Sequence, residues 1–143
     1  MRVMVIIKAN KDSEAGKLPS AELLTSMMKF NEELVKSGIM LAGEGLHPST
    51  EGKRVRFDGK ERVVLDGPFT ETKELVAGFW LWQVRSMDEA VEWVKRMPQD
   101  DGETQGEVEI RRVFEADDFG DNLTPETRAK EKELRDLTSN QGN

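Results

Sequence analysis

The sequence predicts an α+β domain in which two helices cover one face of an antiparallel sheet. Two segments carry apolar residues at helical spacing, and the short runs around them are rich in β-branched and aromatic residues, which is typical of strands. The predicted order is strand, helix, strand, hairpin, strand, helix, strand. This order favours an antiparallel sheet with both helices on one side.

The first part of the chain supplies a strand, a helix and a second strand. Residues 2–9 are rich in Val and Ile and bounded by polar residues, which predicts a buried strand. A helix is predicted over 20–37, because Ser20 suits its N-cap and Gly38 suits the left-handed position after its end. Residues 39–42 form a short strand that runs into a Gly-rich loop.

A hairpin and a long strand follow. Asp58-Gly59 lies between two runs of strand-forming residues, 53–57 and 61–65, and predicts a two-residue turn that pairs them antiparallel. The next strand is predicted over 77–84.

The last two elements of the domain are a helix and a strand. The spacing from Ser86 to Glu89 is that of a capping box, so a helix is predicted over 87–97, before Pro98. A polar loop over 99–106 then leads into a final strand over 106–114.

Two of the predicted strands are apolar on both faces. The alternating residues are Met4 and Ile6 against Val3, Val5 and Ile7, and Phe79 and Leu81 against Trp80, Trp82 and Val84. Leaving one set in water forgoes roughly 1.5–3 kcal/mol for each side chain that could be buried. The sequence therefore predicts a homodimer joined through the open face of the sheet; the alternative is a monomer whose own hairpin and tail cover that face.

Composition limits the partners. The 143 residues carry a formal charge of −7, and residues 115–143 hold eight acidic and four basic side chains. We predict one domain over 1–114 and a charged tail over 115–143, helical at about 125–138 after Thr124-Pro125. Because nucleic acids and anionic membranes bind clustered Lys and Arg, neither is an expected partner.

Several kinds of chemistry and location are not expected. The chain has no Cys, which excludes disulfides and thiolate catalysis. Its first apolar run is interrupted by Lys8 and is too short for a signal peptide or a membrane span, so a cytoplasmic protein is expected. Neither a phosphate-binding nor a dinucleotide fingerprint occurs, and the single His lacks a zinc-ligand spacing; no cofactor and no metal are predicted.

Two loop segments carry the candidate site. Residues 66–74 read Asp-Gly-Pro-Phe-Thr-Glu-Thr-Lys-Glu, and residues 43–48 read Gly-Glu-Gly-Leu-His-Pro. Ordering such loops costs conformational entropy, so we expect them to position side chains in one shared site. The candidate catalytic residues are Asp66, Glu44 and His47, and the candidate ligand-binding residues are Phe69, Glu71 and Lys73.

The catalytic candidates each have an alternative role. Glu44, between two glycines, is a candidate general base in a pocket, or it pairs with Lys73 or backbone groups. Asp66 either accepts hydrogen bonds from backbone N–H groups two residues on, or forms a carboxylate pair with Glu44 that moves protons. His47 is either a proton-transfer group or an exposed turn residue.

The ligand-binding candidates also each have alternative roles. Phe69 either packs or lines the pocket wall. Glu71 and Lys73 are expected to share a face of an extended segment, either as a loop-organising ion pair or as an anchor for an anionic ligand. A Schiff-base role for Lys73 is a further alternative.

Residues 1–114 resemble the YCII-related family, in the branch named for its Asp-Gly-Pro-Phe motif. The resemblance rests on Phe-Asn-Glu-Glu-Leu at 30–34, the motifs at 43–48 and 66–74, and Gly-Phe at 78–79. It implies a ferredoxin-like fold assembled as a dimeric α+β barrel.

The resemblance says less about chemistry. Members of the wider family resemble small-molecule enzymes such as a dehydrochlorinase, with a proposed His-Asp dyad. That His lies near the start of the first long helix, where this chain has Ser20, Ala21 and Glu22, so the dyad is not carried over.

Three functions remain open. The first is a small-molecule lyase or isomerase that uses acid–base carboxylates in a pocket between the sheet and the helices. The second is a noncatalytic module that binds a small ligand there. The third is a dimeric interaction protein whose motif stabilises the dimer.

Overall fold

A computed structural model describes residues 1–99 and 106–141. The strands are β1 (Arg2–Lys8), β2 (Met40–Gly45), β3 (Lys53–Asp58), β4 (Glu61–Asp66), β5 (Val76–Gln83) and β6 (Val108–Arg112). The helices are α1 (Lys11–Glu14), α2 (Ala21–Lys36), α3 (Met87–Lys95) and α4 (Pro125–Gln141). Short 3₁₀ turns lie at Ser49–Glu51, Thr72–Glu74 and Ala116–Asn122.

Every strand and long helix that the sequence predicts is present, whereas α1 and the 3₁₀ turns were not predicted. Helix α1 is a single turn held by reciprocal hydrogen bonds between Asn10 and Ser13. It buries no side chain, so it lacks the apolar periodicity by which a helix is recognised in a sequence. Most of the predicted loop over 99–106 lies outside the described residues.

Four strands form one antiparallel sheet in the order β2-β5-β1-β6. With α2 following β1 and α3 following β5, this is the ferredoxin-like arrangement, and the predicted α+β fold class is confirmed. The connection from β2 to β5 contains β3 and β4, which form a separate two-stranded sheet.

The hydrophobic core lies between the sheet and the two long helices of the domain. Val3, Val5 and Trp82 are fully buried beneath Phe30 and Leu34 of α2. Aromatic rings dominate the contact; the Phe30 ring centroid lies 5.8 Å from that of Trp80 and 6.5 Å from that of Trp82, both edge to face. The remaining buried core residues are Ile39, Val84 and Ala90.

The opposite face of the sheet is also apolar, as predicted. Register places Met4 beside Leu81 and Ile6 beside Phe79, on the side away from the core residues. Met4 is 37% exposed, whereas its neighbours Val3 and Val5 are 0% exposed. We call the surface formed by these four residues, Met4, Ile6, Phe79 and Leu81, the open face.

The helix caps follow the sequence with one exception. The Ser20 side chain accepts from the N–H of Leu23, and Gly38 after α2 has the predicted left-handed φ of +74°. At α3 the Ser86 side chain accepts from the N–H of Glu89, but the reciprocal arm of the predicted capping box is absent. Glu89 accepts instead from the backbone N–H and the guanidinium of Arg85, which bond its two carboxylate oxygens.

The hairpin formed by β3 and β4, Lys53–Asp66, is named the arm. Its turn residues are Gly59 and Lys60, with φ of +58° at Gly59, so Asp58 is the last strand residue rather than part of the predicted turn pair. Every side chain of β3 is exposed, and in β4 all but Val63 are exposed.

The chain divides into two compact units, Met1–Arg112 and Val113–Asn143. In the second unit the rings of Phe114 and Phe119 stack with centroids 5.1 Å apart. Helix α4 confirms the predicted charged helix and carries ion pairs one turn apart, such as Lys132 with Asp136 at 2.9 Å. Among the described helices, none is both long enough and apolar enough to cross a bilayer.

Candidate functional site

The Asp66–Glu74 segment folds against the 3₁₀ turn that follows β2. The N–H of Gly67 donates to the carbonyl of Gly52 at 2.9 Å, and the Gly67-Pro68 peptide is cis. A Cβ atom at Gly67 would lie 1.7 Å from the carbonyl oxygen of Ser49, so a side chain cannot fit there without movement of the backbone. The segment and the turn are therefore in direct backbone contact.

A single serine joins three parts of the chain at this contact. The Ser49 hydroxyl donates to the Glu14 carboxylate at 2.6 Å and accepts from the N–H of Phe69 at 3.0 Å. The N–H of Ser49 also donates to Glu14, at 3.1 Å. We call Glu14, Ser49 and Phe69 the Ser49 junction.

Sequence reasoning missed two members of the Ser49 junction. Asn10 and Ser13 have the spacing of a reciprocal cap, and this signal could have revealed α1 and hence the position of Glu14. Nothing local pointed to Ser49, because its partners lie 35 residues before it and 20 residues after it.

Asp66 has a different partner from those predicted. It forms an ion pair with Lys53, the residue opposite it in the arm, and both side chains are largely exposed. The predicted turn bond from two residues on is wrong, because that residue is Pro68, which has no N–H. Within the described residues, no hydrogen bond joins the side chains of Asp66 and Glu44.

Glu44 lies on β2 opposite Phe79, at the edge of the open face. Over residues 1–99 and 106–141 its carboxylate forms neither a hydrogen bond nor an ion pair, so the predicted pairing with Lys73 is not observed. At the flanking Gly43 and Gly45, a side chain would face the helix-covered side of the sheet. A Cβ at Gly43 would lie 2.4 Å from the Trp80 ring.

The remaining polar candidates form surface contacts. His47 Nδ1 lies 3.3 Å from the carboxylate of Glu51, and the His47 side chain is 82% exposed. Glu71 lies 3.8 Å from Arg54 and not beside Lys73. The expected extended segment is wrong here, because Thr72–Glu74 is a 3₁₀ turn that rotates the two side chains away from a common face.

Phe69 packs against another side chain, which is one of its two predicted roles. Its side chain is half-buried, and the Arg54 guanidinium lies over the ring, 3.9 Å from the centroid. Lys73 is exposed and has no ion pair in the described part of the chain. In the same part of the chain, no group of three or more His, Asp or Glu side chains is placed to hold a metal ion.

A surface cavity of about 410 Å³ lies at the other end of the sheet, where α2 ends and α3 begins. None of the six predicted site residues lines it. Its lining residues are Ser37, Gly38, Ile39, Gln83, Val84, Arg85, Glu89 and Trp93. At its rim Arg85 Nε donates to Glu89 at 2.6 Å, and this hydrogen bond lowers the pKa of the Glu89 carboxyl below its ordinary value of 4.5.

Comparison with known proteins gives a family. The model of the YCII-related domain matches residues 1–117. An uncharacterised protein of Rhizobium meliloti (strain 1021) is 30% identical over 89 residues, which cover 62% of this chain and 71% of that protein. The structure of 5-chloro-2-hydroxyhydroquinone dehydrochlorinase from Burkholderia phenoliruptrix AC1100, in complex with 2,5-dihydroxybenzoquinone, has a TM-score of 0.46 at 16% identity and covers 80% of this chain and 94% of that one. By the match over residues 1–117, the chain belongs to the YCII-related family.

Proposed function

We propose that the protein is a homodimer, joined through the open face, that binds a small molecule beside Glu44. The apolar character of the open face supports the dimer. Met4, Ile6, Phe79 and Leu81 form a continuous patch on the two central strands, and patches of this kind mark interfaces. Met4 is 37% exposed and the other three side chains are partly buried, so covering the patch contributes a fraction of the roughly 1.5–3 kcal/mol that burial of a fully exposed side chain contributes.

The binding proposal rests on the unpaired carboxylate of Glu44. Glu109 on the same surface contacts two cations, Lys8 and Arg111, but Glu44, which is paired in register with Phe79, has no partner among the described residues. A carboxylate at the edge of an aromatic surface favours a ligand with an apolar body and a hydroxyl or amine donor, because hydrogen bonds to a carboxylate are charge-assisted. Phenols and aromatic amines have this chemistry.

The same observation supports a second candidate, a lyase or isomerase that uses Glu44 as its proton-transfer group. A carboxylate without a partner is free to accept a proton from a bound substrate. Asp66 and His47 are weaker participants in this scheme, because Asp66 already forms an exposed ion pair with Lys53, and the His47 side chain is 82% exposed beside Glu51. Binding without conversion and binding with conversion differ only in whether product forms.

The test combines ligand binding with product analysis. A thermal-shift panel of phenols, aromatic amines and aromatic carboxylic acids is applied to the wild type, Glu44→Gln and Asp66→Asn, since a ligand that binds the folded state raises its melting temperature. We expect phenols or amines to stabilise the wild type and Asp66→Asn but not Glu44→Gln. A ligand that stabilises all three equally contradicts the Glu44 site.

Chromatography of each stabilising compound after incubation with the protein then separates the two candidates. Formation of product that is lost in Glu44→Gln favours the lyase or isomerase. Recovery of the unchanged compound favours the noncatalytic module. Sedimentation of the same samples tests the homodimer separately, because a 16.2 kDa species at micromolar concentration contradicts it.

A further inference from the structure

The arm, Lys53–Asp66, carries an apolar stripe on one of its faces. The register pairs Val55 with Val64 and Phe57 with Arg62, so these side chains lie on one side of the hairpin. Val55 is 52% exposed, Phe57 73% and Val64 59%. A two-stranded hairpin alone is marginally stable in water, and a third layer on its apolar face is the usual means of stabilising it. This stripe therefore has the properties of a contact surface.

We infer that the arm packs this stripe against a second copy of the chain. The arm holds five basic and three acidic residues and has a net charge of +2, whereas the whole chain has −7, which leaves −9 on the rest. The remaining surface of a second copy is thus opposite in charge to the arm. One arginine accompanies the stripe; the Arg62 guanidinium lies 4.6 Å from the centroid of the Phe57 ring.

The position of the arm supports the same partner. The arm lies in the connection between Gly45, where β2 ends, and Val76, where β5 begins. Glu44 and Phe79 are paired near these strand ends and face the same side as the open face. A second copy lying on the open face is therefore adjacent to the base of the arm. In this respect the inference rests on the proposed homodimer.

Among the residues that the structure describes, the stripe has no comparable contact within its own chain. Each of its three apolar side chains is exposed, and the cation that lies over Phe57 comes from the arm itself. The base of the arm is held by Lys53 with Asp66 and by the backbone bond from Gly67 to Gly52. The arm is thus fixed at its base while its stripe is available to another molecule.

Hydrogen–deuterium exchange of the full chain tests the inference. Exchange is measured at concentrations above and below the dissociation constant of the dimer, which sedimentation gives. We expect the amides of the arm to exchange at least tenfold faster when the dimer dissociates. We also expect Phe57→Ser to raise the dissociation constant of the dimer about tenfold. The matched control is Leu18→Ser at a residue that is 83% exposed and outside the arm, for which no change is expected.

The outcomes separate the inference from the proposed homodimer. A dimer whose arm exchanges equally at both concentrations, with Phe57→Ser neutral, overturns the inference and leaves the homodimer in place. A dimer that survives Leu81→Lys on the open face but is lost in Phe57→Ser supports the arm contact and overturns the sheet contact. A monomer at every concentration overturns both. If Phe57→Ser does not fold, Val55→Ser gives the same reading.

Discussion

The hydroxyl of Ser49 lies 2.6 Å from a carboxylate oxygen of Glu14, although 35 positions separate the two residues in the chain. The same hydroxyl accepts from the N–H of Phe69, so one small side chain connects α1, the turn after β2 and the Asp66–Glu74 segment. This relationship gives the segment a structural role that is independent of any ligand. The contribution of each of these hydrogen bonds to the free energy of unfolding can be measured by replacing the side chain that forms it.

Ser49→Ala is expected to lower the free energy of unfolding by about 1–3 kcal/mol, because it removes the hydroxyl and leaves the Phe69 N–H without its acceptor. Urea denaturation of this variant, of Glu14→Gln and of the double variant measures the effect and the coupling. We expect the double variant to lose less than the sum of the singles. Additive effects would show that Glu14 and Ser49 act separately.

Gly67→Ala is expected to destabilise the domain by about 1–3 kcal/mol, because its Cβ would lie 1.7 Å from the Ser49 carbonyl oxygen and force the loops apart. Gly45→Ala is the matched control, since a Cβ there meets nothing within 4 Å. Thermal unfolding of the two variants compares them directly. Equal melting temperatures would mean that the two loops separate without cost.

Leu81→Lys is expected to convert the proposed homodimer into a monomer, because it places a charge in the middle of the open face. Met28→Lys is the control, since Met28 lies on α2 and is 67% exposed. Sedimentation velocity at equal concentrations distinguishes the two. If both variants sediment like the wild type, the open face is not the interface.

Glu89→Gln is expected to flatten the acid side of the stability profile. The hydrogen bond from Arg85 lowers the pKa of Glu89 below 4.5, so folding favours its charged form. That contribution is complete above about the unfolded value and is lost as the pH falls through the lowered folded-state pKa. Urea denaturation of the wild type and of this variant from pH 6 downward measures it, and identical pH profiles would contradict a contribution from the Arg85 bond.

Local signals explain why the helices and strands were predictable. Leu23, Met27 and Phe30 repeat at helical spacing between a Ser cap and Gly38, and each of these signals acts within a few residues. The short helix α1 was not predicted, because its stabilising contacts are polar and it buries no side chain. Among the described helices and strands, the sequence alone failed only at α1, where no apolar periodicity marks the element.

The site was less predictable because its contacts join distant residues. Lys53 and Asp66 are equally far from the observed turn at Gly59 and Lys60, whereas a turn at Asp58 and Gly59 places Lys53 opposite Val64, so the predicted register missed this pair. No such rule links Ser49 to Glu14 or Arg54 to Phe69, which meet only after the loops have folded. The sequence thus indicated which segments are ordered, but it did not indicate their partners. The convergence of Glu44 with Asp66 and the domain boundary at 114 stay predictions.

The position of β1 in the middle of the sheet has a consequence for synthesis. Its partners are β5 and β6, and β6 ends at Arg112, so β1 pairs on both edges only after more than 100 further residues have been made. Until then an apolar, β-branched strand has unpaired backbone groups. Such long-range pairing slows folding and exposes nascent chains to aggregation. A chain that stops before Val108 leaves one edge of β1 permanently open, and is expected to be captured by chaperones rather than to accumulate as a folded protein.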